Sequence, residues 1–228
     1  MRLVWAGAAA AVAVFCLIVG LNTAPLPDKL DDFPVEKQQF LDSRGNPLNV
    51  SYQNWFNVFD AVELYDVPEL LQKMFIAAED KNFYTHHGID WGARLSAVVQ
   101  NVKAGRVVRG ASTLTEQVVR MLYPRPRTLF SKIVEGVDAW RLERRFSKDE
   151  ILKFYLNQVP YASNRRGIKQ AARYYFSKSP DRLSVRQMTA LVVLVRAPAA
   201  FNLYKYPEKT DNLGGRPLQT FYEQGIIN

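Results

Sequence analysis

Residues 3–21 (LVWAGAAAAVAVFCLIVGL) run for nineteen positions without a charge, and no other feature of the chain restricts its folding as strongly. As a helix rising about 1.5 Å per residue the run reaches roughly 29 Å, close to the hydrocarbon thickness of a bilayer. Arg2 and the chain amine precede it, and Pro25, Asp28, Lys29, Asp31 and Asp32 follow. A cleaved signal peptide is the competing reading, but its apolar core is shorter, roughly 7 to 15 residues. The run therefore predicts an uncleaved, single-pass signal-anchor over residues 1–22, with its short positive end inside and the rest of the chain outside. Cys16 lies within it as a small apolar residue.

The whole chain, 228 residues with 48% hydrophobic and 23% charged, suffices for one sizeable domain or two small ones and excludes disorder and a collagen-like fibre. One Cys excludes a disulfide framework and a Cys-rich zinc module, and two His leave little for a structural metal. The net charge of +8 is unevenly placed, with 19 Lys and Arg against 7 Asp and Glu in residues 105–204, but 8 against 12 in residues 1–104. An exported basic stretch excludes nucleic acid as its ordinary partner. It points instead to lipid headgroups, a phosphorylated lipid or an anionic wall polymer.

After a polar linker over 23–37, QQFLDSRGNPLNVSY alternates around Ser43–Pro47 and predicts a small β-hairpin at the start of a domain spanning 38–228. Beyond Asp66 the pattern is helical. Asp66 with Pro68 predicts a helix through about Ala78, and Asp90 opens one that ends at Gly105. Thr113 with Glu116, Ser147 with Glu150, and Ser184 with Gln187 have capping-box spacing. Thr128 to Phe146 predicts a long amphipathic helix, with Phe130, Ile133, Val134, Val137 and Trp140 on one face and Lys132, Glu135 and Ala139 on another. The expected fold class is mostly α.

Three constellations carry chemistry. Glu79–Gly88 (EDKNFYTHHG) places an acid at a helix C-terminus, where the dipole does not favour it, which suits a proton-transferring group. The same residues also suit a helix that simply ends in solvent, with His86 in a turn. Gly110–Gln117 (GASTLTEQ) feeds small residues into a helix N-terminus and is followed by Arg120, Arg125 and Arg127, an arrangement able to hold a diphosphate. A capped surface helix would look the same. Lys132 and Glu135 share a helical face, where such a pair is usually a solvated contact. Combined with Glu79, Glu135 supplies the second carboxylate that glycosyl transfer uses beside groups stabilising a departing phosphate.

These blocks, with Lys132–Glu143 (KIVEGVDAWRLE), Ser147–Lys178 and Leu183–Glu208, follow one another in the order found in the peptidoglycan glycosyltransferases of family 51, which the chain resembles from about Gln38 to Ile227. The resemblance implies a lysozyme-like α domain that polymerises lipid II into a nascent glycan strand with release of undecaprenyl diphosphate, inverting the anomeric centre. It assigns Glu79 as general base. Glu135 becomes the second essential glutamate, supporting the diphosphate or a divalent metal (Mg2+ or Mn2+); no organic cofactor is implied. Ser112, Thr113, Gln117, Arg120, Arg127 and Lys132 fall where the family contacts donor phosphates and sugars, and Asp80, Phe83 and His86 where it supports the base. The bacterial inner membrane, cell-wall synthesis and transpeptidase partners follow from the same resemblance.

The chain departs from the family pattern in several places. Glu116 stands for the usual Gln, Arg120 for Lys, Ser131 for Arg, Ala111 and Ala162 for Gly. Glu116 adds a negative charge beside the expected diphosphate, which motivates the alternative of a non-catalytic member that binds lipid II or a partner. A lysozyme-like hydrolase using Glu79 as an acid is a third reading. No S-x-x-K or K-T-G occurs, so a monofunctional transglycosylase is expected.

Overall fold

The computed structural model describes residues 2–32, 38–45, 48, 56–106, 110–162, 164–196 and 215–227. Nine α-helices form among them: α1 (Arg2–Leu21), α2 (Glu69–Glu79), α3 (Trp91–Ala104), α4 (Leu114–Leu122), α5 (Leu129–Arg145), α6 (Lys148–Gln158), α7 (Gly167–Phe176), α8 (Val185–Arg196) and α9 (Gly215–Glu223). Two 3-10 turns, Leu64–Asp66 and Pro180–Arg182, join them. No strand occurs among the described residues, so the mostly α expectation holds. Of the expected hairpin, the turn is present, with Gly45 N–H donating to Asp42 O at 3.0 Å and Leu48 N–H to Phe40 O at 2.7 Å. Its return strand lies outside the described residues.

The apolar run is helical along its length as α1, whose side chains are described from Val12 onward. Among the described residues no helix is long and apolar enough to cross a membrane, so the transmembrane anchor expected over residues 1–22 is not shown.

The chain divides into two compact units. The first comprises Met1–Pro27 and Thr85–Ser147. Its core is the α4–α5 pair, where Leu114, Val118 and Val119 pack with Val134, Ala139 and Leu142, all buried. Capping spacing is honoured here. The Asp90 side chain accepts from Ala93 N–H at 2.8 Å to start α3, and Gly105 ends it in the left-handed region at φ 62°. The first residues read from sequence as linker are held on α5. Asp138, fully buried, accepts from Ala24 N–H at 3.2 Å, Arg125 Nη2 at 2.7 Å and Arg141 Nη1 at 2.9 Å. Arg141 also donates to Ala24 O, Arg125 to Asn22 O and Tyr123 to Pro25 O.

The buried face of α5 is rotated away from its apolar pattern, keeping Val134 of the expected row. Ser131, Val134, Glu135, Asp138, Ala139 and Leu142 face inward, while Phe130, Ile133 and Trp140 are exposed. Glu135 and Asp138 are buried because arginines from outside α5 neutralise them. Outside, Trp140 is covered by the Arg144 guanidinium, 4.8 Å from its ring centroid.

The second unit comprises Asp28–Tyr84 and Lys148–Asn228. Buried Leu71, Met74 and Phe75 of α2 pack against α8, α6 against α7, and both α7 and α9 against α8. Phe75 meets Tyr155 edge-on, ring centroids 6.1 Å apart. Asn157 and Gln158 at the end of α6 hold residues 57–62 as a strand partner would: Gln158 Oε1 accepts from Asn57 N–H at 2.7 Å and Asn157 Oδ1 from Val62 N–H at 2.8 Å. Ser184 and Gln187 cap α8 reciprocally. One boundary differs from the sequence expectation. Asp66 closes a 3-10 turn, and Pro68, which lacks an N–H, takes the N-cap position of α2 instead of opening the helix.

Candidate functional site

Glu79, Asp80 and Phe83 belong to the second unit, and the other expected site residues to the first. Glu79 is the last residue of α2 and is half-buried. Asp80 follows as C-cap, its N–H donating to Ile76 O at 2.8 Å and its carbonyl accepting from Phe83 N–H at 3.0 Å, so the chain turns tightly after Glu79. Phe83 is fully buried, with Lys148 Nζ 4.6 Å from its ring centroid. Tyr161 sits within the electrostatic reach of Glu79: burial first, then Tyr175 and Glu79, push its hydroxyl well above the ordinary range.

In the first unit, Thr113 is the N-cap of α4. Its Oγ1 accepts from Glu116 N–H at 3.1 Å and donates to Gly88 O at 2.7 Å. The Glu116 carboxylate accepts from Thr113 N–H at 3.0 Å, completing the capping box. This corrects one expectation: the N–H groups of Thr113 and Glu116 serve the cap and are not offered to a phosphate. Glu116 is fully buried and paired with Arg94 of α3, so its extra charge is answered inside the unit. Ser112 and Gln117 stay partly exposed beside it.

Arg120 of α4 forks onto Glu135 of α5, Nε to Oε1 at 3.2 Å and Nη2 to Oε2 at 2.7 Å. These bonds hold the guanidinium further above its already high range, against partial burial. Arg127 and Lys132 are exposed and form no ion pair among the described residues. Arg125, which the sequence grouped with them, is bound to Asp138 instead. The first unit thus carries a carboxylate held by one guanidinium across α4 and α5, and two unneutralised cations, Lys132 on α5 and Arg127 in the segment before it, a residue set suited to anionic oxygens.

His86 lies with its Nδ1 3.8 Å from Glu143 Oε1, both side chains buried, and Thr115 Oγ1 donates to the same oxygen. Sequence reasoning gave no role to Glu143, Arg94, Asp138 or Arg141. Glu143 was signalled by the A-x-x-L-E that closes its block. Asp138 and Arg141 had only an i, i+3 spacing, and Arg94 no local signal.

The family model described as Transglycosylase matches residues 49–220. The chain belongs to this family. Among its relatives, penicillin-binding protein 1A of Aquifex aeolicus (strain VF5) is 34% identical over 225 residues, 94% of this chain and 30% of the relative. Penicillin-binding protein 1F of Bacillus subtilis (strain 168) is 34% identical over 74% of this chain and 24% of its own length. Penicillin-binding protein 1A of Neisseria cinerea is 41% identical over 71% and 20%. This transglycosylase chain therefore spans less than a third of the curated relatives it matches.

The divalent cation that the resemblance brings to Glu135 does not fit the residues present. Both carboxylate oxygens are engaged by Arg120, and no group of three or more His, Cys, Asp or Glu among the described residues could hold a metal ion.

Proposed function

We propose that this transglycosylase is a membrane-anchored peptidoglycan glycosyltransferase that polymerises lipid II and releases undecaprenyl diphosphate. The observation that carries this reading is Arg120 of α4 forked onto Glu135 of α5, with Lys132 of α5 and Arg127 of the preceding segment as further cations of the same unit, in a chain whose Glu79 is half-buried at a helix end. Glu79 takes the proton of the acceptor sugar's hydroxyl as that oxygen attacks the donor's anomeric carbon. The bond from that carbon to the phosphate breaks, and the electron pair leaves on the diphosphate, met by the cations. In-line attack turns an α-linked donor into a β-linked polymer. Asp80 and Phe83 fix the turn that follows Glu79, and the Glu143–Thr115–His86 contact ties α4 and α5 to the segment after Tyr84 within the first unit.

A bacterial inner-membrane location, with α1 as anchor and the catalytic units outside, is supported by the charge-free run and by α3. Trp91, Leu95, Val98, Val99 and Val102 form an exposed apolar stripe at helical spacing there, and such a stripe suits an interfacial position. The alternative, a non-catalytic binder of lipid II or a partner, drew on Glu116, Ser131 and Ala111. Two of the three are accounted for locally: Glu116 by Arg94, and Ser131 by the Thr128 cap of α5.

The test is the purified full chain with lipid II. Glycan polymer is expected from wild type, and Glu79→Gln should bind lipid II yet make none. Cut glycan would point to a hydrolase, and bound but unchanged lipid II in wild type would leave the binder. Loss of binding together with activity in Glu79→Gln would sink its role as base.

A further inference from the structure

The Glu135 side chain is 5% exposed, and the Arg120 side chain whose guanidinium reaches both its oxygens is 37% exposed. A divalent cation at this carboxylate would have to pull the guanidinium from a two-point bond in a poorly solvated place. It would then leave cation beside cation within a few ångströms. A lysine at position 120 would make a single contact on a flexible stem and could swing aside, whereas the planar arginine fork cannot share the carboxylate in that way. Arg120 has five N–H donors, of which Glu135 takes two, and among the described residues the others make no hydrogen bond. One edge of the fork is fixed by Glu135, and three donors remain for an anion.

We propose that Arg120, oriented by Glu135, does at the leaving diphosphate what a divalent cation would do, so that polymerisation by this chain requires no divalent metal. This rests on the function proposed above. Arg120 is then the group that touches the phosphate oxygens, and Glu135 is a positioning residue acting through it. The hydroxyl proton goes to Glu79 and the electron pair leaves on the diphosphate, where the free edge of the Arg120 fork donates to the phosphate oxygens and the unneutralised Arg127 and Lys132 supply the balancing positive charge.

The test has two arms on the full chain purified free of metal. In the first, Mn2+ is titrated and followed by its paramagnetic resonance signal in wild type, Glu135→Gln and Arg120→Lys. Wild type and Glu135→Gln should bind Mn2+ alike, whereas Arg120→Lys should bind it about tenfold more tightly. A Mn2+ site present in wild type and lost in Glu135→Gln overturns the proposal. In the second arm, wild-type polymerisation of lipid II in excess EDTA should stay within about twofold of its rate in Mg2+, and Arg120→Lys should fall about tenfold in EDTA and recover with Mg2+. Abolition of wild-type polymer by EDTA overturns the proposal, and so does an Arg120→Lys enzyme as indifferent to EDTA as wild type. Absence of polymer under every condition would sink the glycosyltransferase reading instead, while the Mn2+ comparison still decides the role of Arg120.

Discussion

Arg94 on α3 and Glu116 on α4 form an ion pair whose carboxylate is completely buried and whose second oxygen completes a helix cap. The pair changes what a family-like glutamine at position 116 would do. Glu116→Gln keeps an acceptor for Thr113 N–H but leaves a largely buried guanidinium without its counter-charge. We expect a loss of about 1–3 kcal/mol. The unfolding midpoint should fall by several degrees, with polymer yield per folded molecule unchanged. Adding Arg94→Met should recover much of the loss in a double-mutant cycle, and simple additivity of the two changes would refute the coupling.

Gly88 explains a second piece of the first block. Its φ is +79°, and a Cβ there would stand 2.5 Å from Trp140 N and 2.7 Å from Ala139 C, both backbone atoms of α5. Neither atom can move without bending the helix. Gly88→Ala is expected to cost about 3 kcal/mol or more, through strain at positive φ and the clash together. A thermal melt of the variant within a degree of wild type would disprove this close approach.

Local chemistry was legible in the sequence, and distant pairing was not. Asp90, Gly105, Thr113 with Glu116, and Ser184 with Gln187 act on neighbours within four residues, so their spacing alone announced α3, α4 and α8. The inward face of α5 was hidden because its partners come from elsewhere. Glu135 is buried by Arg120, and Asp138 by Arg125 and the backbone of Ala24, 114 residues away. Without those arginines, the exposed row of Phe130, Ile133 and Trp140 would be the better core. The roles of Arg120 and Arg125 were inseparable in sequence for the same reason, since each is decided by which acid it meets.

Tyr84 gives a pH signature to the second unit. Burial first, then its hydrogen bond to Asp149 and that residue's charge, push the Tyr84 hydroxyl up to about 12. A folded value above the unfolded one means the neutral phenol is favoured in the fold. Its contribution is full below about pH 10 and is lost as pH rises from there through about 12. Because the group is largely solvent-screened, the effect is modest. Ultraviolet titration should show, besides the late phenol of Tyr161, one that is missing in Tyr84→Phe and titrates earlier in Asp149→Asn. A Tyr84 phenol unchanged by Asp149→Asn would rule out the assigned partner.

Arg125 and Arg127, two residues apart, should separate cleanly into structure and binding. Arg125 is mostly buried, bound to Asp138 and to Asn22 O, and clamps the residues after α1 onto α5. Arg127 is exposed and meets no acid among the described residues. Arg125→Ala leaves Asp138 with Arg141 and Ala24 N–H, so it should lose about 1–2 kcal/mol of stability. It should also speed hydrogen exchange at the Ala24 amide, with lipid II affinity unchanged. Arg127→Ala should leave stability within about 0.5 kcal/mol of wild type, as surface changes do. Instead it should weaken lipid II binding several-fold at low salt. That loss should shrink as the screening length contracts from about 10 Å at 0.1 M salt to about 3 Å at 1 M. Melting curves and lipid II binding at both salt concentrations check the pair together. An affinity loss in Arg125→Ala that exceeds that in Arg127→Ala would mean that the clamp residue, and not its exposed neighbour, meets the diphosphate.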